Sequence, residues 1–328
     1  MLTKQQVKDI FNSVNSCEDL NGINIIDRIK EQLKLQNQNV YEEWEKDGFN
    51  IDHMFNLSLL LTTRDGTLLH LAAIDVHVKA INALIARGAK VDAKEAIFEL
   101  TPLHLAAEYS RMEAINALID KGAKVDKKNN DGKTPLHLAA EYGRVEAINA
   151  LIARGAEVNK ENHKGYTPLH SAAIHGKVEA INILIDRRAD PLLKNSNGKT
   201  PGDLVKNNRK LKKFLKEAEL FSAVKNGYIR EIKELIAEGT NVNAVDSHGK
   251  TPLNYAANNK DTRNALISAG NKQAAKKGFA TVVTGLGIAL IMRVSLMGLV
   301  TISQSSIVTA ALAVAAAAII AGGVHMAW

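Results

Sequence analysis

Cysteine is almost absent from this chain of 328 residues, which contains only Cys17. A single thiol can form neither an internal disulfide framework nor a zinc site built from cysteines. This scarcity excludes a disulfide-stapled secreted domain and favours a reducing compartment.

The sequence also lacks the motifs of the common enzyme classes. It contains no glycine-rich phosphate loop, no H-E-x-x-H metal motif and no nucleophile elbow. Its many carboxylates fall on charged stretches, where solvation is the ordinary explanation. We therefore predict a non-catalytic protein with no cofactor, metal or small-molecule substrate; an enzyme module within residues 1–64 is kept as an alternative.

Charge is nearly missing from residues 278–328, where Arg293 is the only Lys, Arg, Asp or Glu. A hydrocarbon core about 30 Å thick needs roughly 20 apolar residues of helix, so this stretch is long enough for two crossings. We predict transmembrane helices at 279–300 and 306–327, joined by a short polar turn. Arg293 would snorkel toward the interface or, alternatively, line a pore.

The flanks of this segment predict its orientation. Lys272, Lys276 and Lys277 belong to a basic linker at 271–278, whereas the polar turn and the C-terminal tail have no lysine or arginine. By the positive-inside rule, the preceding residues are expected on the cytoplasmic side of a multi-pass membrane protein. No apolar run follows the first charged residues, so no signal peptide is expected.

The rest of the sequence is dominated by a repeat. Its motif, Thr-Pro-Leu-His or a close variant, begins at residues 67, 101, 134 and 167, with an interval of 33 or 34 residues. The threonine can cap a helix, the proline suits its first turn, and Gly122 and Gly155 can end a second helix. Apolar residues recur at helical spacing within each unit, as at Val145, Ile148, Leu151 and Ile152. Each unit is therefore predicted to be a pair of helices.

These residues resemble the ankyrin repeat, with its T-P-L-H-x-A-A opening, second amphipathic helix and G-A-x-V-[DN] exit. The resemblance extends over residues 67–270. It implies an all-α fold class, namely an ankyrin-repeat solenoid of helix-turn-helix units with projecting turns, here followed by the transmembrane hairpin. It also implies that the motif histidines make structural hydrogen bonds between repeats: His70, His104, His137 and His170.

Interruptions of the repeat predict the domain boundaries. After the motif at 200 the next begins at 251, and the shifted pattern places another unit start at 218. We predict one ankyrin block at 65–217, with units starting near 67, 101, 134, 167 and 200. A second block is predicted at 218–270, with units starting near 218 and 251. Lysine-rich residues 210–216 would give the first block a polar end.

The N-terminal segment and several single positions depart from the pattern. Residues 1–64 are predicted to be a helical cap with a degenerate half repeat or, alternatively, an independent partner-binding module. Val76 and Ser110 replace the glycine between the two helices, and Arg188 replaces the exit glycine. The turn before Thr101 is longer than its neighbours, and its Ile97 and Phe98 would form an apolar contact site if they were exposed.

The ankyrin resemblance implies that a partner binds at the projecting turns and the exposed side of the first helices. The predicted partner-binding residues are Tyr109, Tyr142, Tyr166, Lys128, Lys133, Lys164, Lys199, Glu141 and His175. Aromatic residues dominate protein-binding hot spots, so the three tyrosines are the predicted anchors. The lysines and the net charge of +7 favour an acidic protein surface or anionic lipid, with a merely solvated edge as the simpler alternative. No nucleic-acid partner is expected, because no recognition motif accompanies the charge.

The leading hypothesis is a membrane-anchored scaffold or adaptor that binds a partner protein. The chain resembles ankyrin proteins with C-terminal hydrophobic segments in intracellular bacteria, which implies an effector exported to a host cell as one setting. The alternative is that the C-terminal hairpin forms a pore or channel lined by Arg293, with the repeats as a targeting module and lipid as the contacted partner.

Overall fold

The computed structural model describes residues 2–59, 62–256 and 259–273. The predicted transmembrane helices at 279–300 and 306–327, and with them Arg293, lie outside these residues. Within the described part of the chain, no helix combines the length and apolar character needed to cross a bilayer. The chain divides into two compact units, residues 1–223 and residues 224–328.

The secondary structure begins with a small sheet and continues as short helices. The strands are β1 (Leu2–Thr3), β2 (Phe55–Leu59) and β3 (Thr62–Gly66). The helices that begin in the first unit are α1 (Lys4–Asn15), α2 (Ile25–Gln36), α3 (Gln38–Lys46), α4 (Leu68–Ile74), α5 (Val78–Ala86), α6 (Pro102–Glu108), α7 (Met112–Asp120), α8 (Pro135–Tyr142), α9 (Val145–Ala153), α10 (Pro168–Ile174), α11 (Val178–Asp186), α12 (Pro201–Leu204) and α13 (Arg209–Asn226). Helices α14 (Ile229–Ala237) and α15 (Pro252–Tyr255) follow, and residues 260–273 are also helical.

Residues 2–66 combine helices with a sheet. Thr3 caps α1 through a reciprocal capping box with Gln6. β1 lies parallel to β2, and β2 pairs antiparallel with β3. The prediction that residues 1–64 form a helical cap was therefore wrong for the residues of these three strands. Phe-Asn-Leu-Ser-Leu at 55–59 alternates apolar and polar residues, which is the period of a strand.

Helix α3 packs against α2, and its Trp44 is fully buried. Beyond it, the carboxylate of Asp52 accepts the backbone N–H of Lys90 at 3.0 Å. Asp92 makes the same contact with the N–H of Lys124 at 3.2 Å. The N-terminal segment is thus attached to the first repeat by the same contact that attaches successive repeats to one another.

In the repeats, a short first helix is followed by an amphipathic second helix of nine residues. The pairs are α4 with α5, α6 with α7, α8 with α9, and α10 with α11. Ala139 and Ala140 are fully buried, and their small side chains let the first helices approach closely. Ile148 and Leu151 of α9 are equally buried, and each such side chain stabilises the fold by about 1.5–3 kcal/mol.

The residues that replace glycine keep the backbone conformation of glycine. Val76, Ser110 and Arg188 have φ angles of 63°, 57° and 67°. Gly143 and Gly176 hold the inter-helix position in later repeats with φ angles of 71° and 63°. A side chain in this left-handed region costs on the order of 1–2 kcal/mol, most for a β-branched residue such as Val76. The first repeat therefore contains strain that the repeat around Gly143 lacks.

Near the end of the first unit, the motif becomes Thr200-Pro201-Gly202-Asp203. Lys216 Nζ of α13 lies 2.8 Å from Asp203 Oδ1 and 3.0 Å from Glu219 Oε2. The Thr200 hydroxyl donates to Glu219 Oε1 at 2.7 Å. A Cβ atom on Gly202 would lie 2.5 Å from that same Glu219 oxygen, so the loss of the motif leucine makes room for α13. Burial opposes ionisation of Lys216, but the two carboxylates outweigh it and raise the pKa of this lysine.

Helix α13 is continuous from Arg209 to Asn226. The predicted end of the first block at 217 and the predicted start of the second at 218 both lie inside this helix. Leu211 and Leu215 are buried, whereas the lysines at 210, 212 and 213 are exposed.

In the second unit, asparagine replaces the motif histidine. Asn254 Oδ1 accepts the Thr251 N–H at 2.7 Å and the Thr251 hydroxyl at 2.9 Å. The Gln273 side-chain amide donates to the Thr240 carbonyl at 2.8 Å, so this unit includes the chain at least as far as residue 273.

Candidate partner-binding surface

The four motif histidines are fully buried and join neighbouring repeats. In each, Nδ1 accepts the hydroxyl of the motif threonine at 2.9 Å and its backbone N–H at 3.1–3.2 Å. On the other side of the ring, Nε2–H donates to a backbone carbonyl of the next repeat at 2.8–3.1 Å. The pairs are His70 with Leu100, His104 with Lys133, His137 with Tyr166, and His170 with Lys199. The prediction of structural hydrogen bonds between repeats is confirmed.

Burial also keeps these histidines neutral. Desolvation lowers the pKa of His70, His104 and His137 to about 4, although the accepting carbonyl acts in the opposite direction. The pKa of His170 is lowered for the same reason. With both ring nitrogens bonded inside the stack, these side chains have no atom left for a ligand. Among the described residues, no group of His, Cys, Asp or Glu side chains could hold a metal ion.

Each projecting turn is held by one side chain. Asn129 Oδ1 accepts the N–H of Asp131 at 3.1 Å and that of Lys133 at 2.8 Å. Asn162 and Asn195 close their turns in the same way. Successive turns are then joined by backbone bonds of 3.1 Å: Asn130 to Phe98, His163 to Asp131, and Ser196 to Lys164. The turn tips therefore form one hydrogen-bonded row.

The longer turn before Thr101 uses a longer side chain. Glu95 stands where the next three turns have asparagine, is almost fully buried, and accepts the N–H groups of residues 97, 98 and 100. The glutamate side chain is one methylene longer than asparagine, and this turn is one residue longer than its neighbours. The sequence pattern did not predict this relation. Ile97 and Phe98 are 49% and 38% exposed, so the condition set for an apolar contact site is met.

Three predicted aromatic positions are equivalent in consecutive repeats. Tyr109, Tyr142 and His175 are 33 residues apart and lie at the C-terminal ends of α6, α8 and α10. We call them the aromatic column. Tyr142 is 41% exposed, whereas Tyr109 is half-buried against an apolar cluster that includes Leu138. Tyr166 lies outside the column, half-buried, with its ring edge-on to His170 at 5.6 Å.

The side chains of Lys133, Glu141 and His175 lie together beside this column. Lys133 Nζ is 2.6 Å from Glu141 Oε2, so this lysine is not a free basic residue of the turns. Glu141 Oε1 faces His175 Nε2 at 3.8 Å. Because His175 Nδ1–H donates to the Ser171 carbonyl at 2.9 Å, Nε2 of the neutral ring is an acceptor. When the ring is neutral, two acceptors therefore face each other and a donor that enters between them would satisfy both; when the ring is protonated, Nε2–H faces the carboxylate as an ion pair.

The remaining predicted lysines differ from Lys133. Lys128 is half-buried and Lys164 and Lys199 are exposed, all three on the turns. Neither they nor the neighbouring Lys194 have a carboxylate partner among the residues that the structure describes. The row of turns is therefore basic, whereas the centre of the aromatic column is rich in acceptors.

Comparison with known proteins identifies the repeats. Residues 69–162 match a family model described as ankyrin repeats (3 copies), and residues 151–205 match one described as ankyrin repeats (many copies). Residues 69–205 are ankyrin repeats. An ankyrin repeat protein of fowlpox virus (strain NVSL) is 40% identical over 53 residues, which are 16% of this chain and 38% of the viral protein.

This match supports the solenoid part of the predicted fold, and ankyrin repeats suggest a protein-interaction module. Ankyrin-repeat proteins are typically non-enzymatic binding scaffolds. The partner and the residues that contact it remain predictions.

Proposed function

We propose that this chain is a membrane-anchored adaptor that binds a partner protein across its turns and its aromatic column. The observation that supports this most is the exposed Tyr142 ring beside the Glu141 and His175 acceptors. An exposed aromatic residue next to polar acceptor atoms, on a scaffold fixed by buried hydrogen bonds, has the composition of a binding hot spot.

The electrostatics of this surface define the partner. Lys128, Lys164 and Lys199 favour carboxylates on the partner, at a spacing set by the row of turns. Glu141 Oε1 and His175 Nε2 favour an N–H or O–H donor, such as a lysine, an arginine or a backbone amide. The partner we propose is thus an acidic protein surface with one donor group that enters beside Tyr142.

Site-specific photo-crosslinking tests this proposal. A photoreactive phenylalanine analogue at Tyr142 should give a discrete adduct in cells that contain the full chain. Tyr228 of the second unit is 50% exposed and provides the matched control position. Lys164→Glu should weaken the adduct at position 142. Equal adducts from positions 142 and 228, or an adduct unaffected by Lys164→Glu, would contradict the proposed surface.

The anchoring part of the proposal is supported by residues 278–328, where Arg293 is the only Lys, Arg, Asp or Glu, and by the lysines that precede them. We propose a multi-pass hairpin with the ankyrin repeats on the cytoplasmic side. The full chain should stay with membranes during alkaline extraction, whereas a chain ending at Gln273 should be released. The truncation after Gln273 keeps the Thr240 contact and hence the second unit. Release of both forms would refute anchoring and leave the partner surface unaffected.

A further inference from the structure

The first half of α13 and the residues before it form a strongly basic surface that partner binding does not use. It consists of Lys206, Arg209, Lys210, Lys212, Lys213 and Phe214, which we call the α13 basic patch. All six are exposed, Phe214 by 39%. Residues 206–214 include no Asp or Glu. Within the described residues only Lys213 of these cations has a carboxylate partner, Glu217 at 3.7 Å.

The orientation of α13 is fixed by its buried side. Leu211 and Leu215 face the core, and the Lys216 bridge to Asp203 and Glu219 fixes the helix on the repeat that begins at Thr200. At 100° per residue, Arg209 and Lys213 then point away from the core. The patch is thus displayed by a rigid element.

The local potential is more positive than the side chains alone would make it. The first turn of α13 has no acidic residue. A helix N-terminus already has about half a positive charge and normally favours Asp or Glu nearby. Cations placed there repel this charge, and a bound anionic surface would relieve the repulsion.

We infer that the α13 basic patch binds an anionic lipid surface, so that the end of the repeat stack lies on the membrane. Four of the five cations are lysines, whose compact charges suit mobile headgroups, whereas fixed carboxylates are better matched by the planar fork of arginine. An exposed phenylalanine among lysines is typical of segments that lie in the membrane interface. The choice of lipid over an acidic protein rests on the proposed membrane anchoring.

Vesicle binding by the full chain tests this inference. The measurement is the ratio of affinities for vesicles with about 30% phosphatidylserine and for pure phosphatidylcholine, since insertion of residues 278–328 contributes to both. Each cation near such a surface contributes about five-fold, so Arg209→Gln/Lys210→Gln/Lys212→Gln should lower the ratio by about 100-fold. The control Lys128→Gln/Lys164→Gln/Lys194→Gln removes the same charge from the turns and should change the ratio much less.

A second variant separates charge from apolar contact. Phe214→Ala should keep most of the ratio in dilute buffer but weaken binding in about 0.5 M NaCl, where the charges are screened. The inference is overturned if the wild-type affinity ratio is one, or if the Arg209/Lys210/Lys212 variant has the same ratio as the wild type. It is also overturned if the Lys128/Lys164/Lys194 control lowers the ratio as much as the patch variant does. Patch-dependent binding to polyglutamate or RNA with a ratio of one would likewise exclude lipid as the occupant. If the proposed anchoring is wrong, the full chain will not bind vesicles of pure phosphatidylcholine, which is a separate result.

Discussion

Acid should destabilise the repeat stack through its buried histidines. The pKa of His70, His104 and His137 in the folded chain is about 4, against about 6.5 when exposed. Because the folded pKa is the lower one, the unfolded chain binds more protons between these values. The stability that the neutral, buried histidines give the folded chain is fully present above pH 6.5 and is lost as the pH falls toward 4. At about pH 5 the free energy of unfolding is lower by about 2 kcal/mol for each histidine, or by about 6 kcal/mol for all three. Whole domains are stable by only about 5–15 kcal/mol, so this loss is large.

Urea unfolding followed by far-UV circular dichroism, at neutral pH and at about pH 5, measures this loss. The matched variant is His137→Asn, because Asn254 shows that asparagine can accept the threonine hydroxyl and N–H. The variant should be less stable at neutral pH by about 1–3 kcal/mol, since the Tyr166 carbonyl loses its donor. On acidification it should lose about 2 kcal/mol less than the wild type. An equal loss in both proteins would refute the assignment of the acid sensitivity to buried histidine.

Three further substitutions test the packing. Gly132→Ala would place a Cβ atom 2.5 Å from the next turn, whereas Gly155 has a similar φ angle and open space around it. The melting temperature should therefore fall more for Gly132→Ala than for Gly155→Ala. Equal losses would show that only the φ angle matters. Glu95→Asp is too short for its turn and should speed proteolysis at residues 96–100, whereas unchanged cleavage would contradict the match of lengths. Lys216→Met leaves the Glu219 carboxylate buried without its cation and should cost about 3–5 kcal/mol by urea unfolding. A loss below about 1 kcal/mol would mean that the bridge does not hold α13.

The repeats could be predicted because each of their signals is local. Threonine at a cap, proline in the first turn, and apolar residues three and four apart specify a helix pair without reference to the rest of the chain. Regular spacing then makes the stack predictable, since each repeat contacts only its neighbours. The sheet at residues 2–66 was missed for the opposite reason, because β1 and β2 are joined across more than fifty residues of sequence.

The candidate surface was only partly predictable. Sequence position placed Lys133, Glu141 and His175 on the partner side, but not the ion pair that neutralises Lys133 or the acceptor atoms that remain. The three tyrosines were equivalent candidates in the sequence. Only the packing of neighbouring repeats buries Tyr109 and Tyr166 in part and leaves Tyr142 exposed.

The repeat, its helix pairs and the structural role of the motif histidines could all be predicted from the sequence. These depend on residue types at fixed short spacing, which hydrogen-bonding groups and helix periodicity translate directly into structure. Tertiary structure alone decided which charges are neutralised and which remain available. Lys133 and Lys216 are lysines like those of the turns and of α13, yet both are paired with carboxylates that the fold brings beside them. The electrostatic role of a charged side chain depends on neighbours distant in sequence, and only folding supplies them.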